Sequence, residues 1–195
     1  MEAEKLLSLA KQGDAEAQFR LGRCFDIGEG VPTDEDKAIY WYKKSAEGGN
    51  HSAQLLLGCL YHQGKGIPKD LEKAVYWYSK SAEQGELAAE VNLGFCYFYG
   101  EGVEKNQEKA VSHFTKAAIK ADMIASRNLQ FCYYNGVGIE KDIEKALYWQ
   151  KFSTRHSFTE TNYSGTIYYY QAVRKCKYAI SLRIVCSKDM PDNKN

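Results

Sequence analysis

Proline is almost missing from this chain, with three residues of 195, at 32, 68 and 191. Proline lacks a backbone N–H and breaks helix interiors, so its scarcity favours helices over Pro-rich linkers. Long apolar runs are missing too. No stretch of about 18 uncharged apolar residues occurs, so no transmembrane helix is expected. The most apolar late segment, Tyr178 to Cys186, is short and carries Arg183. Neither sign of charge is in excess: 26 Lys and Arg face 25 Asp and Glu, net +1. Nothing in that balance advertises nucleic acid or an anionic membrane as a partner. The start, Met1-Glu2-Ala3-Glu4-Lys5-Leu6-Leu7, has no basic segment leading into an apolar core, so no secretory signal is read there. A cytoplasmic location follows as an expectation, with the six cysteines kept as thiols. The hydrophobic share of 44% and charged share of 26% exclude wholesale disorder.

What is present recurs. Leu21-Gly22 returns as Leu57-Gly58, Leu93-Gly94 and Leu129-Gln130, always 36 residues on. Gly28-x-Gly30-Val31 returns as Gly64-x-Gly66-Ile67, Gly100-x-Gly102-Val103 and Gly136-x-Gly138-Ile139. Lys37-Ala38, Lys73-Ala74, Lys109-Ala110 and Lys145-Ala146 keep the same register. So do Trp41, Trp77, His113 and Trp149, and after them Tyr42, Tyr78, Phe114 and Gln150. Gly13, Gly49, Gly85 and Ala121 close the units. Several columns in one register exclude coincidence and mark a repeat architecture.

Each unit reads as two helices. Ala53, Leu57, Leu60 and Tyr61 share one face of a first helix, A. Ala74, Trp77, Tyr78, Ser81 and Ala82 share one face of a second, B. Asp34, Asp70, Asn106 and Asp142 stand where helix B needs an N-cap, and Asp14, Asn50 and Asp122 where helix A needs one. Gly22, Gly58 and Gly94 fall in mid-helix, which costs about 1 kcal/mol each against Ala. Close backbone approach between helices is the expected reason, with the large B-helix aromatics, the Trp column included, filling the core between repeats.

The pattern A-x₃-L-G-x₂-Y-x₂-G-x-G-V followed by K-A-x₂-W-Y-x-K-[AS]-A-x₂-G resembles the Sel1-like repeat. Ala53 to Ile67 and Lys73 to Gly85 carry it almost column by column. The Gly-x-Gly turn and the period separate it from the tetratricopeptide repeat of about 34 residues. The resemblance covers about residues 14–153 and implies an all-α fold: a right-handed superhelical solenoid of αα-hairpins acting as an adaptor without an active site. Residues 1–13 read as an N-terminal capping half-repeat. The units then run 14–49, 50–85, 86–121 and 122–157, the last degenerate. Residues 158–186 read as a degenerate C-terminal cap, with helix, strand and partly ordered tail all open, and 187–195 as a disordered tail.

The chemistry-bearing residues have ordinary readings. Cys24, Cys96 and Cys132 share a column and Cys59 lies one position off. Stacked repeats set such positions on the order of 10 Å apart, beyond the disulfide limit of about 7 Å. Buried thiols are expected, and no disulfides. The histidines at 51, 62, 113 and 156 lack zinc-ligand spacing to cysteine, so no metal is expected. No nucleophile motif frames any Ser, His and Asp, and the Gly-x-Gly turns lack a phosphate-binding context. No catalytic residue and no cofactor are therefore expected. Asn162-Tyr163-Ser164 is a glycosylation sequon that a cytoplasmic chain would not use. Residues 155–195 hold seven basic and three acidic residues, read as a solvated basic tail or a contact for an acidic surface.

One face is unusual. Opposite the Ala–Leu–Tyr stripe of helix A run the columns Phe19, Leu55, Val91, Arg127; Arg23, Cys59, Phe95, Phe131; and Asp26, His62, Phe98, Tyr134. The third and fourth units are largely apolar where a solvated face would be polar. Either these side chains pack between repeats, or they line a concave groove for a protein or peptide partner. In the second reading Phe95, Phe98, Phe131 and Tyr134 bind the partner, while Arg127 and Asn128 orient it by hydrogen bonds. The function expected is a protein-interaction adaptor. An activating subunit of an enzyme is the alternative, and a hydrolase like some cysteine-rich relatives stands further off.

Overall fold

The computed structural model of the protein describes residues 2–155. The readings made for 158–195, the sequon, His156, Cys176, Cys186 and most of the basic tail lie outside the described residues. Nine helices follow one another among the described residues: α1 (Glu2–Lys11), α2 (Ala15–Ile27), α3 (Glu35–Glu47), α4 (His51–Gln63), α5 (Leu71–Glu83), α6 (Leu87–Tyr99), α7 (Gln107–Ile119), α8 (Met123–Asn135) and α9 (Ile143–Arg155). No strand occurs among the described residues. Helices α2/α3, α4/α5, α6/α7 and α8/α9 form the hairpins, and each hairpin packs on the next, an all-α repeat solenoid.

The caps bear out the sequence reading. Asp14, Asn50 and Asp122 accept the third amide of α2, α4 and α8, and Asp34, Asp70 and Asn106 do the same for α3, α5 and α7. Each satisfies a helix N–H that has no partner inside the helix. Helices α2, α4, α6 and α8 end on a left-handed glycine whose N–H returns to a carbonyl in the last turn. Ala121 takes that backbone conformation without being glycine, at φ 69°.

A clasp closes every A-to-B turn. Asp34 donates its N–H to the Phe25 carbonyl, and Asp70, Asn106 and Asp142 do the same to Tyr61, Tyr97 and Tyr133. The lysine of the Lys-Ala pair then lies over that aromatic ring, 5.3–5.5 Å from its centroid. Lys37, Lys73 and Lys145 also pair with the cap aspartates, at 2.7, 2.7 and 3.1 Å. Periodicity shows the lysine column; only the fold shows what the lysine spans.

The mid-helix glycines are tight for the reason expected and for one more. A Cβ at Gly22 would meet the Tyr42 ring, one at Gly58 the Tyr78 ring, and one at Gly94 the Phe114 ring. The Ala38 and Ala74 carbonyl oxygens would lie 3.1 and 3.3 Å from a Cβ at Gly22 and Gly58, so ring and backbone both approach, inside each hairpin. Tyr42, Tyr78 and Phe114 are fully buried. Trp41, Trp77 and Trp149 are half-buried; Trp41 and Trp77 pack against core clusters as expected, but less deeply than the Tyr column. One position along a helix is a rotation of about 100°, so the Tyr column faces its own A helix while the Trp column sits at the rim. There Trp41, Trp77 and Trp149 meet the exposed Tyr40, Tyr76 and Tyr148 edge to face, at 5.0–5.1 Å.

Candidate partner-binding surface

Neighbouring A helices are tied by side chains. Asn50 donates to Glu16, and His51 lies 3.1 Å from Glu86; the Gln54 amide reaches instead to the Ala46 carbonyl of the preceding B helix, α3. Asn92 of α6 reaches the Cys59 sulfur of α4 at 3.9 Å. Phe98 of α6 meets Phe131 of α8 edge to face at 6.3 Å. The columns singled out in the sequence therefore include the seam between successive A helices. Leu55, Cys59, His62, Val91 and Phe95 are buried there.

The six candidate residues divide by depth. Phe95 is 7% exposed, with its ring against Phe114 at 5.4 Å. Asn128 is 9% exposed, and its amide nitrogen has no acceptor among the described residues. The register explains this donor. Asn92, one repeat earlier, uses Cys59; the position that follows Cys59 in that column is Phe95, which offers no lone pair. Phe98 and Phe131 are half-buried, and Arg127 is exposed. Tyr134 is 48% exposed, with the Lys141 ammonium 5.8 Å above its ring. Tyr99, absent from the sequence candidates, is 45% exposed and touches both Phe95 and Phe98. It escaped notice because it lies just outside the three columns considered. Ring contacts thus join Phe95, Tyr99, Phe98 and Phe131 across α6 and α8, Tyr134 lies three residues beyond Phe131 on α8, and Phe95 and Asn128 are buried.

His113, the residue standing in the Trp column, stacks on Tyr97 at 5.4 Å and lies 2.6 Å from Glu90, which also pairs with Lys116. Its role is packing and pairing. His62 lies 3.4 Å from Glu101 of the next repeat. Burial holds its imidazole down at about 4, helped by the Lys69 charge, while burial pushes the Glu101 carboxyl up. Burial likewise pushes the Cys132 thiol up to about 12. No disulfide joins the four cysteines among the described residues. No group of three or more metal-ligating side chains occurs among the described residues, and no described helix is long and apolar enough to cross a membrane.

Comparison with known proteins agrees with this geometry. The Sel1 repeat family model matches residues 15–50, 51–86, 87–122 and 125–149. A protective antigen of uropathogenic Escherichia coli with an SLR fold is 32% identical, with TM-score 0.76. A Sel1 repeat protein from Oxalobacter formigenes is 36% identical, with TM-score 0.74. Each alignment covers 79% of this chain, but only 33% and 61% of those chains, so this chain spans part of their length. A Sel1 repeat protein from Klebsiella pneumoniae, 24% identical with TM-score 0.54, shares the fold. Among curated proteins none matches. Four matched repeats, and hairpins in the same register, place this chain in the Sel1 repeat family.

Proposed function

We propose that this chain is a cytoplasmic protein-binding adaptor, without catalytic activity, whose partner seats on the α6–α8 surface. Sel1 repeat proteins generally mediate protein–protein interaction and are in general non-catalytic scaffolds. The observation that carries the reading is the pair of half-exposed tyrosines, Tyr99 and Tyr134, flanking the partly buried Phe98 and Phe131. Aromatics at the edge of a packed surface supply large contact area with little side-chain entropy to lose, and they dominate binding hot spots. Arg127 stands exposed on the same helix and orients the partner. A partner carbonyl that reached the enclosed Asn128 amide would satisfy a donor whose isolation costs about 1–3 kcal/mol.

The test is quantitative affinity capture from native cells with the wild-type chain and with Phe98→Ser/Tyr134→Ser. A specific partner lost by the variant, with the helical melting curve retained, supports the surface. Unchanged capture by a folded variant removes it. Loss of fold in the variant would assign both side chains to packing between repeats.

A further inference from the structure

The C-terminal end of α4 meets the A-to-B turn of the next repeat. In the joint between the second and third repeats the meeting residues are His62 and Glu101, with Nε2 and Oε2 3.4 Å apart and the His62 side chain 7% exposed. The same register positions in the joint before are Asp26 and Lys65, and in the joint after Phe98 and Val137. The three joints thus carry an acid and a base, a histidine and an acid, and two apolar residues. Asp26 and Lys65 are exposed, so their charges remain in water. Of these three register positions, the middle one encloses a group whose charge changes in mild acid; the Asp122 carboxyl, which burial also pushes up, caps the other end of an A helix, α8.

The groups that face this pair come from every element around it. Glu101 sits on the turn after α6. Lys69, on the turn before α5, acts on both members of the pair. Tyr78 of α5 brings its ring to 6.2 Å from the imidazole. Tyr99, at the end of α6, feels the Glu101 charge. Enclosure favours the uncharged form of each member, because a charge loses its hydration there.

We propose that the joint between the second and third repeats is acid-responsive: proton uptake by the His62–Glu101 pair changes how turn 100–103 is held against α4, while the equivalent positions, Asp26/Lys65 and Phe98/Val137, do not respond. The two members act oppositely on global stability. A lowered histidine removes stability as pH falls from 6.5 towards about 4, whereas a raised carboxyl restores some over its own range. A local reading is therefore the decisive one. The joint adjoins Tyr99, so its setting also governs one edge of the aromatic surface, but the inference stands without the partner-binding reading.

The experiment is a nuclear magnetic resonance titration of the whole chain from about pH 7.5 to about 3.5. The His62 ring should titrate near 4 rather than near 6.5, and the amides of 100–103 should shift with the same midpoint. In His62→Phe/Glu101→Val, which installs the pair used by the next joint, those amides should lose the transition. If that variant does not fold, His62→Gln/Glu101→Gln, which removes both titrations while keeping polar groups, is read the same way. A His62 midpoint near 6.5, silent amides at 100–103, or a transition that survives the substitution would overturn the proposal.

Discussion

The Tyr78 ring occupies the space that a side chain at Gly58 would need: a Cβ there would lie 2.6 Å from two ring carbons. The same relation joins Gly22 to Tyr42 and Gly94 to Phe114. In the fourth repeat both members change together, to Gln130 and Gln150. Where the ring is lost, the need for glycine is lost with it. Gly58→Ala should therefore destabilise the protein by about 1–3 kcal/mol through overpacking, despite a helix-propensity gain of about 1 kcal/mol. In a Tyr78→Leu background the penalty should shrink, and urea melts of the double-mutant cycle should show coupling above about 1 kcal/mol. A neutral or stabilising Gly58→Ala would mean that the ring yields freely.

The burial contrast between neighbouring aromatics sets the order of two truncations. Tyr78→Ala should cost about 3–5 kcal/mol and Trp77→Ala about half as much, because one ring is enclosed and the other sits at the rim. Equal losses in urea melts would contradict the assignment of Trp77 to the rim.

Ala121 holds φ 69° where the equivalent residues of the earlier units are glycines at 90–94°. A left-handed conformation costs a residue with a Cβ about 1–2 kcal/mol, offset by the greater unfolded-state freedom of glycine. Ala121→Gly should stabilise by about 0.5–1 kcal/mol. The melting temperature of that single variant decides the matter, and a decrease would refute it.

Asn106 leaves the third clasp without the carboxylate that the other three have. Asn106→Asp should stabilise by about 0.3–1 kcal/mol at low salt, and the gain should fade as salt screens the new pair with Lys109. The native aspartates carry a related pH signature. Hydrogen bonds from Lys37 and Lys73 hold Asp34 and Asp70 below their usual value of 3.8, and those from Lys145, through its backbone amide first, do the same for Asp142. Their contribution is present above pH 3.8 and is lost as pH falls through the lowered values. Substituting all three with asparagine should flatten the acid limb of the stability curve. An unchanged limb would count against the clasp.

Thiol reactivity should rank by depth. Cys24 is partly exposed, whereas Cys59, Cys96 and Cys132 are buried. Short alkylation of the native protein, followed by peptide mass mapping, should label Cys24 ahead of those three. Cys132 should come last or nearly so, since its thiolate is disfavoured by burial. Early labelling of Cys132 would mean that the fourth repeat opens readily.

Periodicity alone fixed the number of hairpins, their caps and their turns. Capping, left-handed glycines and helix faces depend on residues within a few positions of one another, so an aspartate at 70 and a glycine at 64 announce their roles locally. The sequence also displayed the aromatic character of Phe98, Phe131 and Tyr134. Which aromatics are core was a tertiary matter. Trp77 and Tyr78 are adjacent and similar in apolar size, and only the placement of α4 decides that one lies against Gly58 and the other at the rim. The same holds for the candidate surface. Phe95 and Phe98 lie three residues apart on one helix, yet the first is enclosed with its ring against Phe114 of α7 and the second is left half open. Pairings such as His62 with Glu101 or Lys73 with Tyr61 join residues 39 and 12 positions apart. Local propensity carries no information about such contacts; they exist because hairpins stack at a fixed register and bring the end of one helix to the turn of the next.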